Sequence, residues 1–204
     1  AVDCDNKAGR LNNADIIYGF DFNGKKVDLV VVSDRGLDKM AIYTINQNST
    51  SLLQNVTAQT APLIFTKNQQ EINQGRTAYG LATAKTDKAI AFVSQNSETR
   101  VAQLEIFDNG NGSISYKNIA NLDFPKTFTL PDNSAWTPCS DDDGEYPHLE
   151  GIVADVENNT LFLAQEDVGV WKVKLSEPNN SKHWQLFAKV KAYGTPYTRT
   201  WDKA

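Results

Sequence analysis

Residues 9–36 read GRLNNADIIYGFDFNGKKVDLVVVSDRG, and this stretch decides the fold. Two apolar runs flank Asn23-Gly24, a dipeptide typical of a type I′ hairpin because both central residues of that turn need a positive φ. Polar side chains open the first run, at residues 12–15, and follow the second run, at residues 33–35. The open ends of a hairpin meet at the same end of a sheet, so the stretch predicts a polar rim there.

The same hairpin pattern occurs three times along the chain. The copies lie near residues 14–46, 78–108 and 149–176, and each has a strand, a tight turn, a more apolar strand, a polar corner and a third strand. Meanders of this kind are the blades of a β-propeller. The sequence therefore predicts an all-β fold, a partial β-propeller of about three to four blades. A β-sandwich built from the same hairpins is the alternative.

The spacing of the copies shows that the connections between them carry insertions. Gly19, Gly80 and Gly151, taken as equivalent positions, are 61 to 71 residues apart, and the largest insertion covers residues 127–149. Helical periodicity is scarce, and the one candidate helix runs over residues 69–78.

Composition excludes two classes of partner. The chain has 204 residues, enough for one domain or a large part of one, and 25 acidic residues against 20 basic ones give a net charge of −5. Nucleic-acid binding needs clustered Lys and Arg, so nucleic acid is not expected as a partner. No apolar run approaches the roughly 18 residues of a membrane span, and no signal peptide is visible.

Cysteine usage and glycosylation sequons bear on the compartment. Cys4 and Cys139 cannot form a zinc site of cysteine pairs, and a long-range disulfide and two free thiols are equally open. The chain has N-x-[ST] sequons that weakly favour a secreted protein. They begin at Asn48, Asn55, Asn111, Asn158 and Asn179.

Counting along each hairpin predicts which polar residues reach the rim. Eight or so residues before the turn, where each first strand should begin, the chain has Asp15, Tyr79 and Glu150. At the polar corner after each second strand it has Arg35, Asn96 and Glu166. We expect these six positions to form a ring at one end of the propeller, near its axis.

The chemistry of this ring points to metal ions that hold an anion. The carboxylates of Asp15, Glu150 and Glu166, with the amides of Asn12 and Asn13, are hard oxygen ligands of the kind that bind calcium or magnesium. Arg35 offers a planar fork for a phosphate or carboxylate, and Tyr79 offers one hydrogen-bond donor. The alternative is that Arg35 pairs with Asp34 or Asp38 and that the carboxylates are solvated.

Other candidates carry less chemistry. The acidic run Asp141–Gly144 lacks the spacing of an EF-hand loop and is interpreted as a solvated loop. His148 neighbours the rim and could touch an anion, but it is interpreted as a surface residue of the insertion, and His183 has no visible partner. The tryptophans are interpreted as core or inter-blade packing: Trp136, Trp171, Trp184 and Trp201.

Three ordered motifs resemble one family. Residues 9–35 resemble the NNVD segment and following strand of the β-propeller phytases, the calcium-dependent phosphatases of inositol hexakisphosphate (phytate). RTAYGLATA, at residues 76–84, is similar to their Tyr-Gly strand. EGIVADVENNTLFLAQEDVGVWKV, at residues 150–173, is similar to their TEG…EED…WK blade. The resemblance covers most of residues 9–176 and is greatest to the longer secreted members of actinobacteria and fungi.

The resemblance implies a function and a role for each rim residue. The family fold is a six-bladed propeller with calcium at the top of its channel, where a metal-activated water hydrolyses phosphomonoesters. By motif, Arg35 would contact phosphate and Tyr79 would hydrogen-bond it. Glu166 would ligate the catalytic calcium. The calcium-binding rim would also include Asn13, Asp15 and Glu150.

The chain also departs from the family pattern. The family's DDPAIW segment and its later acidic segments are absent, and the first position of the EED corner is Gln165. The chain is therefore expected to be a partial domain, with the missing blades supplied by the rest of a parent chain or by another chain. A non-catalytic fragment that binds calcium or phosphate is the alternative function. A lactonase-like or sugar-binding propeller is a third, against which Arg35 argues.

Overall fold

A computed structural model describes residues 9–47, 50–130, 132–139 and 146–190. Three four-stranded antiparallel sheets follow one another along the chain, each built from four strands in sequence order. We call them blades 1, 2 and 3. The prediction of an all-β, partial propeller is confirmed, and the β-sandwich alternative is wrong, because each sheet is a separate meander rather than a layer shared by several hairpins.

The first two strands of blade 1 lie within residues 9–36. Its strands are β1 (Leu11–Phe22), β2 (Lys25–Asp34), β3 (Lys39–Ile45) and β4 (Leu53–Asn55). The β1–β2 turn has φ values of 51° at Asn23 and 73° at Gly24, as the predicted hairpin turn requires.

Blade 2 follows a short helix, α1 (Gln69–Ile72), whose N-cap Asn68 accepts a hydrogen bond from the backbone N–H of Glu71. The predicted helix over residues 69–78 is wrong in its length. Gly75, at φ 81°, redirects the chain into the next strand. The strands of the blade are β5 (Ala78–Lys85), β6 (Ala89–Gln95), β7 (Arg100–Asp108) and β8 (Ile114–Asp123).

Blade 3 follows the insertion, in which β9 (Phe128–Thr129) and β10 (Ala135–Trp136) form a small hairpin. A single 3-10 turn, at Ser181–His183, precedes its last strand. The strands of the blade are β11 (Leu149–Asp155), β12 (Thr160–Gln165), β13 (Gly169–Lys174) and β14 (Gln185–Lys189).

The hydrophobic core lies between the blades. Strand β6 is apolar at almost every position because blade 2 is buried on both faces. Ala91 and Val93 face the cluster shared with blade 1, whereas Ile90 and Phe92 face the cluster shared with blade 3. Burial of a side chain the size of Phe92 stabilises the fold by about 1.5–3 kcal/mol.

The tryptophan prediction is confirmed for the three tryptophans that the structure describes. Trp171 is buried in the cluster between blades 2 and 3, and Trp136 and Trp184 pack against the same cluster. The ring of Trp184 stacks on Phe124, with 4.2 Å between ring centroids. Trp201 lies outside the described residues.

The first strands of the blades are neighbours, with β5 in contact with both β1 and β11. This places the start of each blade toward a common axis.

The outer blades also expose apolar side chains: Tyr18 of blade 1 is 68% exposed, and Val153 and Phe187 of blade 3 are each 61% exposed. Across the described ranges, no helix is long and apolar enough to cross a membrane.

Candidate active site at the rim of the blades

Each blade has a β-bulge at the start of its first strand. In blade 1, Leu11 pairs with Asp34 and Ala14 with Val32, so that Asn12 and Asn13 lie opposite the single residue Ser33. The same shift places Tyr79 and Gly80 in blade 2, and Glu150 and Gly151 in blade 3, on the bulge. A bulge of this kind re-aims side chains at the edge of a sheet. Asn12, Tyr79 and Glu150 are therefore equivalent positions of the rim.

A second set of equivalent positions follows the second strands. The backbone N–H of each donates to a carbonyl oxygen of the chain entering the first strand. Arg35 donates to Arg10 at 2.9 Å, Asn96 to Thr77 at 2.8 Å, and Glu166 to His148 at 3.2 Å. The three residues at the predicted polar corners are therefore equivalent positions of their blades.

The pairing of β1 with β2 shows that two of the equivalent positions predicted by counting back from the turn are wrong. Asn12, rather than Asp15, is the equivalent of Tyr79 and Glu150, and Asn13, rather than Gly19, is the equivalent of Gly80. Counting back from the turn failed because β1 has 12 residues, where β5 has 8, and a second bulge lies between Ile17 and Phe20.

Asp15 lies further along β1 and ties blade 1 to blade 2. Its Oδ2 atom accepts hydrogen bonds from the backbone N–H and the hydroxyl of Thr83, at 2.7 and 2.9 Å. Its Oδ1 atom accepts from the backbone N–H of Ile16 at 2.8 Å. The predicted role of Asp15 as a metal ligand stays a prediction.

Tyr79 is the centre of the rim. The Arg35 guanidinium lies over its ring, with Cζ 4.7 Å from the ring centroid, which is a cation–π contact. Burial, followed by the neighbouring Glu150 carboxylate, raises the pKa of the Tyr79 hydroxyl. The charges of Arg35 and Glu166 also act on this hydroxyl, in opposite directions. Four predicted site residues, Arg35, Tyr79, Glu150 and Glu166, therefore share one neighbourhood.

His148 belongs to the same neighbourhood, and the sequence did not predict its burial or its contact with Glu166. It is buried, its Nε2 atom lies 2.8 Å from a carboxylate oxygen of Glu166, and its Nδ1 atom lies 2.8 Å from the carbonyl oxygen of Tyr146. Its ring also meets that of Tyr79 edge to face, with centroids 5.9 Å apart. The interpretation of His148 as a surface residue is wrong, because the cross-strand register of blade 3 turns it toward Glu166.

Serine hydroxyls hold the bulges of blades 1 and 2. The backbone N–H of Asn13 donates to Ser33 Oγ at 3.1 Å, and that of Gly80 donates to Ser94 Oγ at 2.9 Å. Ser33 Oγ also donates to the Tyr79 carbonyl oxygen at 2.5 Å, which joins the two bulges. Both serines are buried, so the rim rests on satisfied polar contacts.

Gly80 explains the Tyr-Gly pair of the second motif. A Cβ atom at this position would lie 1.8 Å from the carbonyl oxygen of Glu150, a backbone atom that cannot move aside easily. Glycine therefore permits the close approach of blades 2 and 3 at the rim.

Arg35 does not form the local ion pair that was its alternative explanation. Asp34 accepts hydrogen bonds from the backbone N–H groups of Gly36 and Leu37, and Asp38 accepts from backbone groups that include the N–H of Ala78. Among the residues that the structure describes, no carboxylate lies within ion-pair distance of Arg35. Its guanidinium instead contacts the Tyr79 ring.

Gln165, which replaces the first Glu of the family's EED corner, has a packing role. This side chain is buried, its Nε2 donates to the Pro125 carbonyl oxygen at 2.9 Å, and its Oε1 accepts from the indole N–H of Trp171 at 2.8 Å. An ionised Glu could not donate to Pro125. The amide therefore belongs to packing beneath the rim.

The described residues fit part of a calcium site. Glu150 and Glu166 are hard oxygen donors that both act on Tyr79, and the amides of Asn12 and Asn13 lie on the equivalent bulge of blade 1. Within the described ranges, no group of three His, Cys, Asp or Glu side chains is placed to hold a metal. The calcium role of these residues stays a prediction, and the acidic run Asp141–Gly144 lies outside the described residues.

Three further sequence predictions have mixed outcomes. Cys139 is buried and its backbone N–H donates to Asp167, but Cys4 lies outside the described residues, so the disulfide stays a prediction. His183 has a partner after all, because its Nδ1 lies 3.1 Å from Glu177. The sequon at Asn48 lies outside the described residues. The other sequon asparagines are exposed: Asn55, Asn111, Asn158 and Asn179.

Comparison with known proteins supports the motifs. A sequence model of the Phytase family matches residues 3–129, which is more than half of the chain. A 3-phytase of Bacillus subtilis (strain 168) is 29% identical to it over 178 residues, which cover 85% of this chain and 39% of that relative. The chain thus spans well under half the length of this relative. The family match covers the rim residues of blades 1 and 2, and on this evidence the chain belongs to the phytase family.

Proposed function

We propose that this chain carries part of the active site of a phosphomonoesterase that hydrolyses phytate. The observation that carries the proposal is the Arg35 guanidinium, which lies on the Tyr79 ring with no ion-pair partner among the described residues. The family match and the name of the relative, 3-phytase, support the same substrate class.

Arg35 and Tyr79 would bind the scissile phosphate. A guanidinium presents N–H donors in a fork that matches phosphate oxygens, and the cation–π contact with Tyr79 restricts its orientation. The Tyr79 hydroxyl is protonated near neutral pH and lies beside Glu150. It can donate to a phosphate oxygen when it turns from Glu150 to the substrate. Donors held in place before the substrate arrives can stabilise charge that develops on the phosphoryl group.

Calcium would be held by Glu150 and Glu166, with Asn13 and Asp15 as the further predicted ligands. Calcium, when bound, supplies positive charge that offsets these carboxylates, polarises phosphoryl oxygens and makes a coordinated water more acidic. Calcium would be needed for an electrostatic reason, because phytate is a polyanion and the chain has a net charge of −5. The Glu166 carboxylate is held by His148, which we assign as a positioning residue.

The alternative is a fragment that binds calcium and phosphate without hydrolysis. Two observations favour it: the described residues place no group of three metal-binding side chains together, and the chain spans 39% of its 3-phytase relative. In that case further blades, from the same parent chain or from another chain, would be required to complete the active site. The exposed apolar side chains of blades 1 and 3, such as Tyr18 and Phe187, are where such blades would pack.

Secretion is part of the same proposal. The exposed sequon asparagines support an extracellular location. The name of the relative, 3-phytase, supports a small phosphorylated substrate. Expression with a secretory leader in a eukaryotic host, followed by enzymatic removal of N-glycans, would show whether these asparagines accept glycans.

Phosphate release from phytate by the chain and by Arg35→Gln tests the hydrolytic function. Loss of the fork should lower the rate by at least about tenfold, because a hydrogen bond to a charged group contributes about 1.5–3 kcal/mol. Lys25→Gln is the matched control, since it removes one positive charge at the exposed turn at the opposite end of the blade. Equal rates for the two variants would contradict the role of Arg35.

A further inference from the structure

We infer that Arg10 is a second anion-binding residue, which forms with Arg35 a pair of guanidinium groups that bind one phosphate group of the ligand. This inference rests on the proposed function, because it extends the phosphate site around Arg35. It adds a residue outside the bulges and outside the predicted site.

The register places Arg10 opposite Arg35. Leu11 pairs with Asp34, and the next hydrogen bond outward runs from the Arg35 N–H to the Arg10 carbonyl oxygen, at 2.9 Å. The two arginines are therefore cross-strand neighbours at the mouth of the β1–β2 pair. Side chains of such neighbours interact directly.

The equivalent pairs in the other blades are compatible in charge. In blade 2 the pair is Thr77 and Asn96, both neutral, and in blade 3 it is His148 and Glu166, which lie 2.8 Å apart. Only blade 1, among the three, sets two cations against each other. Like charges at opposite positions of an antiparallel pair are destabilising, so this arrangement needs a compensating anion.

No protein group in the described ranges compensates this charge. No carboxylate there lies within ion-pair distance of Arg10 or Arg35. The acidic residue next to Arg35 in sequence, Asp34, is buried and accepts from backbone N–H groups. Asp15, five residues after Arg10, accepts from Ile16 and Thr83. Within the described ranges, the charge of the pair is thus left without a protein partner.

The two arginines also border the same space. They line a small cleft of about 60 Å³, together with residues that include Gly36, Asn73 and Thr77. The Thr77 hydroxyl donates to the Arg35 carbonyl oxygen at 2.8 Å, which fixes the backbone between the cleft and the Tyr79 ring. Arg10 is exposed and Arg35 is half-buried. A phosphate group has enough acceptor oxygens to bind both forks at once.

Calorimetric titration with phytate and with inorganic phosphate tests the pair. The proteins are the 204-residue chain and the variants Arg10→Gln, Arg10→Lys, Arg35→Gln and Lys25→Gln. We expect Arg10→Gln to weaken phytate binding by about tenfold or more, and Arg10→Lys to weaken it less, because lysine keeps the charge but loses the fork. Lys25→Gln should bind as the unchanged chain does.

Thermal unfolding at low ionic strength, without phosphate, gives an independent readout. Arg10→Gln should unfold at the same or a higher temperature than the unchanged chain, since it removes a like-charge contact, and it should gain less from added phosphate. An Arg10→Gln variant that binds phytate as tightly as the unchanged chain would overturn the inference. If only Arg35→Gln loses binding, Arg10 is not part of the site and the proposed function stands. If neither arginine variant loses binding, the proposed function fails with the inference.

Discussion

The Nε2 atom of His148 lies 2.8 Å from the Glu166 carboxylate, and the Glu166 backbone N–H donates to the His148 carbonyl oxygen. The two residues are therefore fixed to each other by side chain and backbone at the mouth of blade 3. His148 is buried, whereas the Glu166 side chain is 57% exposed. A buried ring thus orients a carboxylate that faces the rim.

Replacement of His148 should show this positioning role. His148→Ala removes the donor to Glu166, and we expect phosphate release from phytate to fall by roughly tenfold, with loss of about one hydrogen bond to a charged group. His148→Gln can still donate to Glu166 and should retain more activity. The measurement is kcat and KM for the two variants, with His183→Ala, at the exposed Glu177 pair, as the control. Equal losses in the Gln and Ala variants would contradict the positioning role.

Gly80 should be far less tolerant of substitution than its equivalent in blade 3. In Gly80→Ala the new Cβ would meet the Glu150 carbonyl oxygen at 1.8 Å, whereas in Gly151→Ala it would meet only the Ala164 Cβ, at 3.4 Å. We expect Gly80→Ala to lower the free energy of unfolding by about 1–3 kcal/mol or more, and Gly151→Ala by less than about 1 kcal/mol. Urea denaturation measures both. Similar values for the two variants would show that the blades do not approach as closely as described.

Asp15 should stabilise the contact between blades 1 and 2 whether or not calcium is present. Asp15→Asn keeps the shape but weakens acceptance from Thr83 and Ile16, and we expect a loss of about 1–2 kcal/mol in the free energy of unfolding. Urea denaturation of both proteins, in calcium and in excess chelator, separates the role of Asp15 in holding blades 1 and 2 together from its predicted role as a metal ligand. A loss confined to the calcium condition would instead identify Asp15 as a metal ligand.

The Tyr79 hydroxyl should titrate above its ordinary pKa of 10.0, because burial and then Glu150 raise it. The folded chain then holds this proton to higher pH than the unfolded chain does. The resulting stability is fully present below pH 10.0 and is lost as the pH rises through the raised pKa.

Ultraviolet difference titration of the chain, Tyr79→Phe and Glu150→Gln measures this pKa. Glu150→Gln removes the neighbouring negative charge, so the transition assigned to Tyr79 should move to lower pH. If the Tyr79 transition in Glu150→Gln stayed at the same pH or moved to a higher pH, Glu150 would not lie close to the Tyr79 hydroxyl.

Features set by local chemistry could be predicted from the sequence. Asn23-Gly24 specifies its turn through positive φ, and the apolar β6 indicates a strand buried on both faces. Arg35, Asn96 and Glu166 follow second strands directly, so their equivalence is visible from the hairpins alone. The helix predicted after Asn68 is too long, because a polar helix has little periodicity that would define its end.

Features set by contacts between blades could not be predicted in this way. The bulge that puts Asn12 on the rim depends on where Ser33 and Tyr79 meet, across 46 residues of chain. The partnership of His148 with Glu166 depends on the register of β11 and β12, and that register shifts at a bulge. A count of residues from a turn cannot include a bulge that the neighbouring blade selects.

Calcium-dependent hydrolysis of phytate is tested by phosphate release from phytate by the chain, measured in calcium and in excess chelator. We expect release in calcium that stops in chelator and returns when calcium is restored, with circular dichroism showing the same β-structure throughout. Release that continues in chelator would contradict the calcium role of Glu150 and Glu166. A folded chain that releases no phosphate in calcium would contradict hydrolysis by these blades and leave the binding function.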